Sequence, residues 1–508
     1  MFRTLLLALF IVSATTLALA QTTPPNILLV MSDDQGYGDL GFNGNPIIRT
    51  PRLDQLASQS VVLKNFYVCP VCAPTRSSLM TGRYNYRTRV VDTYIGRAMM
   101  DTAEVTLAEM LSEAGYQTGI FGKWHLGDCY PMRPMDQGFS ESLVHGGGGI
   151  TQPGDYPGNT YYSPVLSHNG KFVQSDGYCS DVFTDGAIEF FAENQDKPFF
   201  AYVAYNAPHT PLQPPADELA IYEEMNFSAT DFPDIGHPLD GPMDIDVTKK
   251  IYAMEENIDT NMGRMLDKLE QLGIADNTIV IFLTDNGPQQ PRYNAGLHGK
   301  KGSVYEGGVH VPCFVRWPNR LKAGTEVSQA LAHIDIAPTL LAACGVQPQE
   351  LPAFDGRNAL PLLLGEETDW ATRTLYFQWH RGDAPTPLRA FSARGDRYKL
   401  VQAQNVQEAD QPFEPHFQFY DLEKDPYEIH DLSAELPEQV EKFKQEYLAW
   451  FEDVSSTRGY DPPRIILGTT HETSTVLTRQ DWRGPQANWG PNGVGYWEVT
   501  VAEPSKFD

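Results

Sequence analysis

The chain has 508 residues, 41% of them hydrophobic and 20% charged, with a net charge of −27. That length supports a large α/β core with a smaller appended unit, and so acidic a chain disfavours nucleic acid and anionic membranes as partners. Its six cysteines (Cys69, Cys72, Cys129, Cys179, Cys313 and Cys344) are too few for a disulfide scaffold, and the sequence holds no internal repeat or low-complexity tract.

Met1 to Ala20 reads as a secretory signal, with Arg3, an apolar stretch from Leu5 to Val12, and Ala18-Leu19-Ala20 before Gln21. No cysteine follows closely, so a lipoprotein anchor is not expected, and no later apolar run approaches transmembrane length. The expectation is a secreted or periplasmic chain without a membrane anchor, at −28 once Arg3 has left.

Four apolar runs of strand character then end in polar residues. Ile27 to Met31 leads to Ser32-Asp33-Asp34, and Gly119 to Gly122 leads to Lys123-Trp124-His125. Phe199 to Ala204 leads to Asn206-Ala207-Pro208-His209, and Thr278 to Leu283 leads to Thr284-Asp285-Asn286-Gly287. Unbroken apolar runs suit strands buried on both faces. Helices are predicted between them: one starting at Thr50-Pro51, one with a Thr106-to-Glu109 capping box ending at Gly115, and one from about Lys249 to Leu272 stopped by Gly273. The alternation predicts a mostly parallel sheet sandwiched by helices, with ligands beyond the carboxyl ends of the strands.

Gly146 to Asp176 and Ala229 to Asp246 read as long loops that wall a pocket, and Asp335 as a helix cap. From about Thr372 the texture changes to short strands (374–379, 390–393 and 398–403), a strand and turn over 419–426, and a helix from about Pro437 to Glu452. The expected division is a catalytic domain over 21–371 and a C-terminal subdomain over 372–508. In the tail, Trp482, Trp489 and Trp497 either anchor the chain to the core or stack on sugars, and anchoring is the commoner use in a Gly/Pro-rich segment.

The chemistry centres on Cys72-Ala73-Pro74-Thr75-Arg76, followed by Ser77-Ser78-Leu79-Met80-Thr81-Gly82-Arg83. Pro74 suits a first helical turn. Free N–H groups there, with Arg76 four residues on, make an anion cradle around residue 72. Cys69-Pro70-Val71-Cys72 is also a C-x-x-C, but a zinc site lacks its second ligand pair and a redox site lacks its βαβ context. Cys69 is left as a structural disulfide partner or a buried thiol. Asp33, Asp34, Asp285 and Asn286 offer only oxygen, the preference of a hard cation. One such pair alone would read as a turn former or cap; two, each after a buried strand, point to a metal.

The run from Cys72 to Arg83 resembles the signature of type I, formylglycine-dependent sulfatases, Cys-x-Pro-Ser/Thr-Arg with a trailing Thr-Gly-Arg. Gly-Lys-Trp-His-Leu-Gly at 122–127 is similar to that family's second signature, and Ala-Pro-His-Thr-Pro around His209 to another landmark. The segment from Gly299 to Pro312 is similar to the family's Gly-Lys-Gly…Glu-Gly-Gly run, aligning Lys301 rather than Lys300 with the active-site lysine. His310 stands where the family commonly has Arg and is given no catalytic role; His298 is either a substrate contact or a loop histidine.

The resemblance covers nearly the whole mature chain. It implies an alkaline-phosphatase/sulfatase-like α/β fold with a smaller C-terminal α+β subdomain containing an antiparallel sheet. It further implies hydrolysis of sulfate monoesters, with sulfated saccharides as the expected substrate class. A maturation enzyme would convert Cys72 to Cα-formylglycine, and Asp33, Asp34, Asp285, Asn286 and residue 72 would hold Ca²⁺, with Mg²⁺ the alternative. The remaining implied roles are Asp285 assisting the nucleophile, Arg76, Lys123 and Lys301 stabilising charge, His209 protonating the leaving alcohol, and His125 taking the proton that releases sulfate. Three carboxylates, a divalent ion and three cationic side chains leave +2, which draws a sulfate ester in despite a surface whose repulsion salt screens beyond about 10 Å. The rival readings are a phosphodiesterase or phosphonate monoester hydrolase of the same superfamily, and a non-catalytic binder of sulfated glycans.

Overall fold

The computed structural model describes residues 24–348, 352–366, 369–404, 406–407 and 413–503. The signal reading of Met1 to Ala20 lies outside the described residues. A ten-stranded sheet dominates, in the order Thr325–Val327, Val61–Leu63, Cys313–Arg316, Thr278–Thr284, Asn26–Ser32, Phe199–Ala204, Gln117–Lys123, Glu141–His145, Val165–His168 and Lys171–Gln174. The central five strands, from Thr278–Thr284 to Glu141–His145, are parallel; only Cys313–Arg316 and Val165–His168 run against the others.

Burial on both faces explains the unbroken apolar runs. Ile27, Leu29 and Met31 face one layer, with Leu79, Leu107 and Leu340, whereas Leu28 and Val30 face the other, with Leu53, Phe183 and Ile258. The first layer contains helices Cys72–Thr81, Leu107–Glu113 and Ile336–Cys344; the second contains Pro51–Ser58, Cys179–Glu193 and Ile245–Gln271. Thr106 and Glu109 form the expected reciprocal capping box. The long helix begins at Ile245, four residues before Lys249, because the Asp244 side chain caps it through the Val247 N–H.

Two expectations need correction. The stretch from Gly146 to Asp176 is not all loop: Val165–His168 and Lys171–Gln174 form a hairpin that completes the sheet edge, turning at Asn169 (φ 50°) and Gly170 (φ 79°). Asp335 does not cap the helix that follows; its carboxylate accepts from the Ala332 and Arg357 N–H groups and pairs with Arg373. A separate antiparallel sheet, Leu375–Gln378, Phe391–Arg394, Tyr398–Gln402 and Gln418–Asp421, packs Phe391 and Phe419 against Phe443, Tyr447 and Phe451 of helix Pro437–Ser455. In the tail, Trp482 is buried against Trp497 and Trp489 meets Tyr94 edge-on, both packing contacts of the anchoring kind. Among the described residues no helix is long and apolar enough to cross a membrane.

Candidate active site

Three of the four predicted strands deliver their polar residues directly to one place. Asp33 and Asp34 follow Asn26–Ser32, Asp285 and Asn286 follow Thr278–Thr284, and Lys123 closes Gln117–Lys123. Parallel register sets Ser32 beside Thr284, so the two acidic turns emerge side by side. The Asp34 N–H then donates to Asp285 Oδ1 at 3.2 Å. His209 arrives five residues beyond Phe199–Ala204. Cys72 is the first residue of its helix, after Val71, which supplies no side-chain cap, so the free N–H groups of the first turn surround it.

The side chains converge. Asp33, Cys72 and Asp285 form one group whose ligand atoms lie within 4.8 Å of each other, and Asp33, Asp34 and His209 form a second. Lys123 Nζ lies 2.5 Å from Asp33 Oδ2, Arg76 donates to Asp285 Oδ2 at 2.7 Å and to the Lys123 carbonyl at 3.1 Å, and Lys301 Nζ lies 2.5 Å from Asp34 Oδ1. Asn286 donates to Asp34 Oδ1 at 2.8 Å, and His209 Nε2 stands 3.9 Å from Asp34 Oδ2. Cysteine 69 takes no part: its Sγ contacts His333 Nε2 at 3.3 Å, and all six cysteines are free thiols.

Asp33 Oδ1, Asp34 Oδ2 and Asn286 Oδ1 are buried without a hydrogen-bond partner. Oxygens left so are costly unless a ligand takes them, and a set made of carboxylate and amide oxygen fits a hard divalent cation. The electrostatics agree. Burial and the neighbouring Asp33 push Asp285 up to about 6, against the pull of Arg76 and Lys123. Burial would raise Asp34 too, but Lys301 and His209 hold it well below the usual carboxylate range. Asp34 itself sits at φ 66°, a left-handed conformation that is strained in a non-glycine residue.

His125 and His209 border the same loop. A Cβ on Gly148 would lie 2.4 Å from His125 Nε2, and one on Gly149 would lie 3.1 Å from His209 Cε1. The glycine run at 146–149 is therefore a close-approach wall. His125 is not aimed by strand alternation as expected: the strand stops at Lys123, and His125 adopts φ 62°. Its Nε2 meets the Thr93 carbonyl at 2.7 Å and its Nδ1 is buried without a partner. Burial, reinforced by Lys123, drives the ring's pKa far below the usual histidine value. Burial also pushes His209 down to about 3, and its Nδ1 meets the Thr210 carbonyl at 2.7 Å.

His298 is held by aromatic stacking, its ring between those of His237 (3.5 Å between centroids) and Tyr305 (3.7 Å). His310 is held by the Lys64 carbonyl and Glu306. The 229–246 segment walls a cavity of about 480 Å³ with Tyr293 and Asn294. Thr93, Gly148 and Gly149 are the neighbours that sequence reasoning missed; the glycine run was the visible signal.

Residues 25–346 match the Sulfatase family model, and residues 295–450 match the model of the N-sulphoglucosamine sulphohydrolase C-terminal region. Arylsulfatase J of Mus musculus is 33% identical over 351 residues, which are 66% of this chain and 55% of that protein, so the match spans only about half of that relative. Arylsulfatase A of Bos taurus is 31% identical over 480 residues, 84% of this chain and 88% of that one. The crystal structure of Ps i-CgsB in complex with k-i-k-neocarrahexaose superposes with a TM-score of 0.72 at 29% identity, covering 86% of this chain and 94% of the other. With a matching model over more than half its length, the chain belongs to the sulfatase family, the sulfuric ester hydrolases of the alkaline-phosphatase-like superfamily.

Proposed function

We propose that this protein is an exported sulfatase acting on sulfate monoesters of saccharides, with residue 72 matured to formylglycine and a divalent cation, Ca²⁺ or Mg²⁺, at Asp33, Asp34, Asp285 and Asn286. The observation that carries the reading is the pairing of orphaned buried oxygens with two buried cationic side chains, Arg76 and Lys123, and the partly buried Lys301 around Cys72. When present, the hydrated aldehyde supplies a nucleophilic oxygen and a second geminal hydroxyl, and the cation supplies positive charge for the sulfo oxygens. Asp285 orients the nucleophile and takes its proton. Arg76, Lys123 and Lys301 stabilise charge as the sulfo group transfers. His209, neutral at rest, gains affinity for a proton beside a bound sulfo group and, with Lys301, delivers it to the leaving oxygen. His125, through its free Nδ1, takes the proton whose loss releases sulfate.

The saccharide class is supported by the neocarrahexaose in a structural relative of comparable length. His298, outside the cluster, is proposed at most as a distal substrate contact. A division near residue 372 is likewise proposed, since the ten-stranded and four-stranded sheets fall on either side of it. Matured protein assayed in parallel on sulfate, phosphonate and phosphodiester substrates, before and after chelation, tests the reading. Turnover should favour sulfate esters, vanish on chelation, and return with Ca²⁺ or Mg²⁺ but poorly with Zn²⁺, which prefers nitrogen and sulfur. Preference for phosphorus esters would move the assignment to the phosphodiesterase reading, no turnover of any ester would favour the binder, and full activity in metal-free protein would remove the cation site.

A further inference from the structure

Beyond residue 450, where both family matches have ended, the chain returns to the active site. The contact is made by Gln480, which is 2% exposed. Its side-chain amide donates to the Thr93 carbonyl at 3.0 Å, and its own backbone carbonyl accepts from the Gly96 N–H at 2.7 Å. One tail residue thus grips the 93–96 loop at both ends. Trp489 adds a third hold, its ring 5.3 Å from Tyr94 and edge-on to it. The same Thr93 carbonyl meets His125 Nε2 at 2.7 Å.

A carbonyl oxygen has two lone pairs and no proton. His125 Nε2 must therefore be the protonated nitrogen, which leaves Nδ1, buried and unpartnered, as the atom able to accept a proton. Without a fixed acceptor at Nε2 a neutral imidazole divides between two tautomers, and only one of them has its lone pair on Nδ1. The loop needs holding, because Ile95 and Gly96 both have positive φ (46° and 69°) and no regular element runs from residue 82 to residue 106.

We infer that Gln480 is a positioning residue: by fixing the Thr93 carbonyl from the C-terminal tail, it locks His125 in the tautomer whose Nδ1 is free to act as a base. The catalytic half of this inference rests on the role proposed above for His125; the structural half does not. The tail is then a working part of the site.

The test reads the ring directly. Histidine ¹⁵N resonances of the full chain, with His125 assigned by its loss in His125→Gln, report which nitrogen carries the proton. Wild type should show a single Nε2-protonated form. Gln480→Ala, and Gln480→Met, which keeps the side-chain length without the donor, should show a mixture, at an unchanged unfolding midpoint for the Met variant. In matured protein kcat should fall about tenfold, a fraction of the roughly 10²–10⁴-fold a general base contributes, with KM kept. A ring that keeps its wild-type tautomer in both variants overturns the inference whatever the activity does. If the ring responds but matured wild type cleaves no sulfate ester, the role given to His125 falls, and the catalytic half with it.

Discussion

Two of the buried charge clusters among the described residues are finished differently. Where the C-terminal sheet meets the core, Lys399 Nζ lies 2.8 Å from Glu306 Oε1 and 2.9 Å from Glu428 Oε1. The second oxygen of Glu306 accepts from Tyr67 at 3.0 Å and faces His310 at 3.2 Å; that of Glu428 accepts from the Glu306 N–H at 2.7 Å. Every carboxylate oxygen there has a donor or cation within 3.0 Å, although Glu428 Oε1 makes no hydrogen bond and has Lys399 alone. Beside Cys72 the same kinds of group are assembled, yet three oxygens are left without hydrogen bonds. A closed cluster spends its interactions on holding two parts of the chain together. An open one keeps some in reserve for a ligand and gives up stability to do so.

Breaking each cluster should therefore give opposite signatures. Asp285→Asn should lower turnover by at least about 10³-fold, the upper end for one preorganised electrostatic contact. The metal-free variant should lose little stability at neutral pH, because relief of the buried Asp285 carboxylate offsets the loss of its Arg76 partner. The sign follows from the direction of its pKa: a carboxyl raised on folding by burial and Asp33 destabilises the fold as pH rises through its range, so a neutral amide removes a penalty. Urea unfolding of the metal-free variant checks it, and a large loss of stability would mean that Asp285 is structural.

Lys399→Met should do the reverse, stranding two buried carboxylates and costing about 3–5 kcal/mol of unfolding free energy. If the variant is as stable as wild type, the closed cluster is not holding the two sheets together. A smaller and more selective effect is expected at His209. His209→Ala should slow hydrolysis of an alkyl or sugar sulfate roughly 10²-fold while sparing a nitrophenyl sulfate, whose phenolate leaves without a proton. Equal losses on both substrates would make His209 a binding residue.

How far each cluster was legible follows from its construction. The open site is made of short motifs: Asp33-Asp34, Lys123 and Asp285-Asn286 stand at strand ends that parallel topology brings together, whereas Cys72 to Arg76 at a helix start and Lys301 in a loop were legible through the family resemblance. The closed one joins Glu306, Lys399 and Glu428 across more than a hundred residues, and none of the three lies in a pattern that names its partner. His125 was legible as a residue but not in its aim, because a left-handed backbone conformation, not strand alternation, turns it. The edge hairpin was missed although Asn169-Gly170 is a strong two-residue turn signal; the surrounding Gly, Pro and Tyr residues hid it. The grip of Gln480 on Thr93 depends on tertiary return of the tail, to which no local pattern points.

The central claim, that residue 72 works as a nucleophile bearing two hydroxyls, is tested most directly by Cys72→Ser. That variant places one hydroxyl beside the same carboxylates and cations, enough to attack sulfur but without the second hydroxyl whose deprotonation expels sulfate. Exposed to a sulfate ester, it should release at most about one alcohol per active site, as expected of a nucleophile that cannot be regenerated. Mass spectrometry should find the sulfo group retained on the peptide carrying residue 72. Sustained multiple turnover by the serine variant, with that peptide unmodified, would contradict the account.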